Sequence, residues 1–295
     1  IPDYIWNGSW VTDFTSFKGS GTEEDPYLIE NGAQLAFAVA KSDNAMTQAK
    51  HYKLANDIIL NDTSVDGWED YATPWVQNTG KRFNGEINGD GHTIEGLYWN
   101  ANAGGRYGLV AYSGKLASGN DHIATFKNIV FKGASVNSSA IPSSDKDNTT
   151  QGVAIVVGQA SGETIFENIY IDESCKVNAP NVKGVAGLVG RGYNDNTNAH
   201  ITIKNCVVLA DITGGGHVGA FAGTFWDKSV FITANNSFAV TKTGLIGNTY
   251  GVTVLEKVYS TALSEDDAGA IKVDAEKMKG EDALLYMPDL DYNLV

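Results

Sequence analysis

The stretch Val185-Ala-Gly-Leu-Val-Gly190, followed by Ile203-Lys-Asn-Cys-Val-Val208, decides how this chain folds, because both halves recur in alternation. The first half, an apolar strand of small residues closed by Gly or Ala, returns as Tyr107-Gly-Leu-Val-Ala111, Val153-Ala-Ile-Val-Val-Gly158, Val218-Gly-Ala-Phe-Ala-Gly223 and Gly244-Leu-Ile-Gly247. The second half returns as Phe126-Lys-Asn-Ile-Val-Phe131 and Phe166-Glu-Asn-Ile-Tyr-Ile171, more weakly as Leu255-Glu-Lys-Val-Tyr259, with Asn236 marking the copy between. The closing positions 111, 158, 190, 223 and 247 are 47, 32, 33 and 24 residues apart. A repeat of that length built from short extended runs, with no helical period, predicts a coil of parallel strands in which each strand stacks on its copy one turn away.

Side-chain direction follows from the alternation. Lys127, Glu167 and Lys204 are expected outside, and Ile129, Ile169 and Cys206 inside. The Asn before each inward residue suits a bend, its side chain bonding to backbone groups. The closing glycines have two possible uses, a tight turn with positive φ or a close approach between coils, and both are structural.

Gly187-Leu-Val-Gly190 and Gly244-Leu-Ile-Gly247, alternating with Ile203-Lys-Asn-Cys-Val-Val208, resemble the repeat for which the GLUG-motif proteins are named. Upstream, Gly21-Thr-Glu-Glu-Asp-Pro-Tyr-Leu-Ile29, Ala33-Gln-Leu-Ala36, Tyr52-Lys-Leu-Ala-Asn-Asp-Ile58 and Phe83-Asn-Gly-Glu-Ile-Asn-Gly-Asp-Gly-His-Thr-Ile94 are similar to the segments that precede such repeats, as Met287-Pro-Asp-Leu-Asp-Tyr292 is to their close. The resemblance implies an all-β, right-handed parallel β-helix (a β-solenoid) used as a module of secreted or cell-surface bacterial proteins. It brings no catalytic residues with it. Gly becomes Ala at 111 and Asn becomes Lys at 257, departures that fall in the outer repeats.

One domain over 1–295 is therefore expected: N-terminal cap and first coils over 1–105, repeats over 106–260, C-terminal cap over 261–295. Asn31 to Lys50, rich in Ala, Leu, Phe and Gln, reads as an amphipathic capping helix with Leu35, Ala38 and Val39 on its buried face. Ser264 to Gly280 is expected to close the other end, and Ser138 to Gln151, with Pro142, to form an external loop.

Composition narrows the partners. Thirty-five acidic against 21 basic residues give a formal charge of −14, which repels nucleic acid and anionic lipid. No apolar run approaches the roughly 18 residues needed to span a bilayer, so membrane insertion is not expected. The chain opens at Ile1 and stops at Val295 behind an apolar segment, which reads as one piece of a longer polypeptide whose other modules are its partners. Cys175 and Cys206 fall in different columns of neighbouring repeats and are expected as free buried thiols.

Three residues after the closing glycine stand Tyr193, Trp226 and Tyr250, a column that would offer flat faces to sugar rings if exposed, or would simply fill turns of the coil. Asp195, Asp227 and Arg191 lie beside it, the minimum set for glycoside or lyase chemistry, although solvated turn residues are the plainer reading. Asp62, Asp66, Glu69 and Asp70 around Gly67 are a weak calcium candidate without EF-hand spacing, and no other cofactor is indicated. The five histidines lack metal-ligand spacing, and Gly214-Gly-Gly-His-Val-Gly219 matches a dinucleotide fingerprint but leads into a repeat strand instead of a helix. The leading expectation is a non-catalytic extracellular adhesion or carbohydrate-binding and display module. Its alternatives are a polysaccharide lyase or glycoside hydrolase on the same scaffold, and a structural spacer.

Overall fold

The computed structural model describes residues 4–40, 50–75, 82–114, 123–144, 151–193, 199–225, 228, 230–278 and 285–288. Among the described residues the fold is all-β with one α-helix, and the strands form three sheets whose ladders are all parallel, an isolated antiparallel bridge joining Lys18 to Leu28. The first sheet runs in chain order through Tyr27–Ile29, Lys50–Leu54, Gly85–Asn88, Ala124–Lys132, Glu163–Ile171, Ala199–Lys204, Val230–Ala239, Val252–Ser260 and Ile271–Lys272. The second holds Tyr98–Ala101, Ser135–Ser138, Lys176–Ala186 and Asp211–Gly219, with Arg106–Tyr107 and Gly152–Val153 pairing along the later half of the long strands. The third stacks Val110–Ser113, Val157–Ala160, Val189–Gly192, Ala222–Phe225 and Ile246–Thr249. From Ala124 to Phe225 the chain visits the first, second and third sheets in that order three times.

This order explains the uneven spacing of the repeats. Between 223 and 247 no second-sheet strand intervenes among the described residues, which gives the short interval, and between 111 and 158 the insertion around Pro142 lengthens it. Ala140 and Gln151 at the two ends of that insertion are buried, so its roots belong to the packed body, and 145–150 lie outside the described residues.

The interior is a set of side-chain columns. Ile87, Phe126, Phe166, Ile203, Ala234 and Leu255 occupy one register in the first sheet, all buried, with the rings of Phe126 and Phe166 stacked at 5.8 Å. Burying each such ring contributes about 2 kcal/mol. Outside, charge alternates: Lys127 pairs with Glu86 at 2.8 Å and Lys204 with Glu167 at 3.0 Å.

The asparagines sit in left-handed bends, with φ of 56° at Asn128, 52° at Asn168, 53° at Asn205 and 48° at Asn236. Asn tolerates that region better than other residues with a Cβ. Their side chains bond to one another, and not to backbone groups as expected: Asn128 Nδ2 donates to Asn88 Oδ1 at 2.9 Å, Asn168 Nδ2 to Asn128 Oδ1 at 2.8 Å, and Asn236 Nδ2 to Asn205 Oδ1 at 2.8 Å. Lys257 takes the next place in this column with φ 50°, and the weak fifth copy pairs in register.

The glycine question resolves toward close approach. Gly158, Gly190, Gly223 and Gly247 all have φ outside the left-handed region, and each lies against the second-sheet backbone of the preceding turn. A Cβ on Gly190 would stand 2.4 Å from Val153 N, one on Gly223 2.6 Å from Val185 N, and one on Gly247 2.2 Å from the His217 carbonyl carbon. Ala111 escapes because Arg106–Tyr107, in its own turn, is the first strand in that part of the sheet.

The helix covers Gly32–Ala40, with the Asn31 side chain accepting from Gln34 N at its start; Lys50, expected at its far end, instead opens the strand Lys50–Leu54, and 41–49 lie outside the described residues. It is buried nearly all round and not along one stripe: Gln34, Ala36 and Phe37 join Leu35, Ala38 and Val39 inside. The N-terminal segment is the reason, since Phe14 and Phe17 close over Phe37 at 5.0 and 5.8 Å. At the other end Met278 and Met287 pack on Phe238, Tyr259 and Val207, and Asp267 is buried against the last strand of the third sheet. Both thiols are free and buried.

Candidate functional site

One position beyond the closing column, the third sheet presents Tyr112, Gln159, Arg191, Thr224 and Asn248 in register. Opposite them the second sheet presents Arg106, Gly152, Gly184 and His217 in register. The two glycines make the space: a Cβ on Gly152 would lie 3.0 Å from the Arg191 Cβ, and one on Gly184 2.9 Å from Thr224 Cγ2. Side chains of the third sheet thus lie across backbone of the second, in a polar crease flanked by Arg106 and His217. His217 holds φ 49° in a column otherwise glycine at 152 and 184, and its Nδ1 shares a hydrogen bond with Thr224 Oγ1 at 3.1 Å.

The electrostatics of the crease are unusual for so acidic a chain. Arg191 is only 7% exposed. Its Nη1 donates to Gln159 Oε1 at 2.6 Å, and Arg106 Nε donates to the same oxygen at 3.2 Å. Two guanidinium groups therefore converge on one neutral acceptor. Burial pulls the Arg191 pKa down to about 10, and the Arg106 charge pulls in the same direction. Arg191 Nε is buried with no acceptor, and among the described residues no carboxylate pairs with Arg191 or Arg106. Tyrosine faces complete the lining: Arg191 lies 4.5 Å from the Tyr193 ring centroid, Arg106 and Arg82 5.5 and 5.7 Å from that of Tyr112.

Of the residues singled out from sequence, Tyr193 and Tyr250 are 39% and 53% exposed, one position past the registered set Gly192, Phe225 and Thr249. Trp226, Asp195 and Asp227 lie outside the described residues. Arg191 is an interior group of the crease, joined to Gln159, where a solvated turn residue was the plainer expectation. The acidic loop does not converge. Asp62 accepts from the amide and hydroxyl of Ser64, which hold its carboxyl below the usual range, Glu69 pairs with Lys176 at 2.8 Å, and Asp66 and Asp70 face solvent. Among the described residues no three His, Cys, Asp or Glu side chains are grouped to hold a metal ion. The Gly214 to Gly219 segment lies within strand Asp211–Gly219, as its context in the repeat required.

Sequence reasoning missed Gln159 and Arg106. The signal was present, because the residue after each closing position reads Tyr112, Gln159, Arg191, Thr224, Asn248, a polar column between apolar ones.

No family model matches the chain. It is 33% identical over 115 residues to a protein of Evansella cellulosilytica named "Putative Gly-rich membrane protein", a match covering 38% of this chain and 12% of that protein. It is 30% identical over 149 residues to Halomucin of Haloquadratum walsbyi, covering 50% of this chain and 1% of that protein. The chain thus spans a small fraction of the curated relatives it matches. A crystal structure from Bacteroides ovatus, described as a "putative immunoglobulin A1 protease", aligns over 92% of this chain and 90% of its own with TM-score 0.49 and 19% identity, a likeness too weak to define a shared fold. No described helix is long and apolar enough to cross a membrane.

Proposed function

We propose that this chain is a right-handed parallel β-helix module of the GLUG-repeat kind, acting as a non-catalytic carbohydrate-binding or adhesion unit of a larger extracellular or cell-surface protein. The cyclic order of three parallel sheets supports the coil, and crossovers between parallel strands are right-handed in about 98% of cases. Two much longer relatives, one named as a Gly-rich membrane protein and one named Halomucin, support the surface setting.

The observation that carries the binding reading is the half-exposed Tyr193 on the buried Arg191 guanidinium, with Tyr250 exposed at the equivalent position two turns on. Ring faces held rigid from behind, with polar tips outward, are surfaces on which pyranose rings stack. The test is retention on a panel of immobilised plant and microbial polysaccharides, with Tyr193→Ala and Tyr250→Ala as paired variants. Retention that both variants weaken supports the module. Retention by none of the panel overturns it, and release of new reducing ends from a retained glycan would replace it with an enzyme.

A further inference from the structure

We infer that the crease between the second and third sheets is an anion site, and that the glycan this module takes is acidic, carrying carboxylate or sulfate groups; this rests on the binding reading above. A buried arginine is ordinarily matched by a carboxylate, because an unpaired charge away from water is costly. Arg191 has no such match among the described residues, and the charge of a second arginine, Arg106, acts on it unfavourably. Gln159 Oε1 stands where an anionic acceptor would be expected, joined to both guanidinium groups at 2.6 and 3.2 Å. It supplies one neutral oxygen, leaving Arg191 Nε buried and unanswered.

Among the described residues such a pair is short of its counter-charge. A carboxylate or sulfate accepts planar guanidinium donors more strongly than an amide does. The half-buried Arg106 and Tyr112 and the half-exposed Tyr193 form its approach. The setting sharpens selectivity, since a chain of net charge −14 disfavours polyanions overall and a local pair of cations is needed to hold one. Ring stacking on Tyr193 and ion pairing at Arg191 and Arg106 then fall within one residue's reach, the arrangement an anionic pyranose presents.

The experiment measures affinity for polygalacturonate (carboxylate), dextran sulfate (sulfate ester), and dextran and xylan (neutral), at low and high sodium chloride, for the intact chain and for Arg106→Gln, Arg191→Gln and Arg191→Lys. Thermal melting verifies that each variant folds; Arg106, being half-buried, serves if Arg191→Gln does not. The expected result is salt-sensitive binding of one polyanion, weakened about tenfold or more by Arg106→Gln and only partly restored by lysine at 191. The polyanion preferred identifies the anionic group. Binding of neutral glycans that the arginine variants leave intact overturns the anion site while preserving the module. Equal, salt-quenched binding of both polyanions that Arg106→Gln leaves unchanged also overturns it. Binding of no polysaccharide overturns both.

Discussion

The buried carboxylate of Asp267 accepts the backbone NH groups of Leu245 and Ile246, each at 2.9 Å. In the preceding turns the equivalent donors find carbonyls of the next turn, as Phe221 N finds Leu245 O and Val189 N finds Phe221 O. Among the described residues the third sheet has no strand after Ile246–Thr249, and one side chain does what a strand would have done.

Asp267→Ala should therefore strip buried donors of their acceptor and cost about 3 kcal/mol, while Asp267→Asn, keeping one carbonyl oxygen, should cost about half as much. Urea titration followed by circular dichroism reads both, and equal stability of the two variants would refute the capping role.

Gly190→Ala should be destabilising by about 2 kcal/mol or more, because its Cβ would enter the backbone at Val153, which has no flexible end to move aside. Ala111→Gly should cost under about 1 kcal/mol, the entropic penalty of glycine alone. A shared consensus position would then give unequal melting shifts, and similar shifts would count against the packing account.

At Asn128, the left-handed φ of 56° and the bonds on both sides of the side chain separate two effects. Asn128→Gly keeps the backbone and loses the ladder, and should cost about 1 kcal/mol. Asn128→Val loses both and should cost about 3 kcal/mol. Thermal denaturation of the pair decides; a valine variant as stable as the glycine one would show that the bend carries no strain.

Burial pushes the Cys206 thiol up to about 12 and the Cys175 thiol higher still, against roughly 8.5 in an unfolded chain. The folded state holds these protons longer, so their contribution to stability is full below pH about 8.5 and is lost progressively between there and 12. Denaturant midpoints measured from pH 7 to 10.5 should fall, and Cys206→Ala should flatten the slope. Neither thiol should react with Ellman's reagent until the chain unfolds.

The strands were legible from sequence because their signal is local. Phe126-Lys-Asn-Ile-Val-Phe131 and Phe166-Glu-Asn-Ile-Tyr-Ile171 pair residue for residue as their alignment predicts. The helix was legible in its start but not in its far end, where Lys50 opens a strand, nor in its burial, since the covering rings of Phe14 and Phe17 come from a segment with no repeat signature. The crease was half legible. Arg191 and Tyr193 follow a closing glycine, but Arg106 meets them only because a strand 85 residues earlier in the chain stacks into the same body, and Gln159 joins the two only through side-chain geometry. The Asn ladder was hidden for a similar reason: spacing announces a bend at each Asn, and only stacked turns show that the bends bond to one another.

The close fit of each glycine to the turn before it also governs how such a gene can change length. Among the described residues each strand between Glu163 and Gly192 pairs with its copies in the circuits before and after it, so duplicating or deleting one whole circuit of the three sheets presents the same pairing edges on either side. The two ends differ: among the described residues Ala111 has no earlier strand to accommodate, and Asp267 accepts from the final one. Descendants of this chain should thus gain or lose turns from the middle, and each turn gained would add one more side chain to the row that holds Gln159 and Arg191.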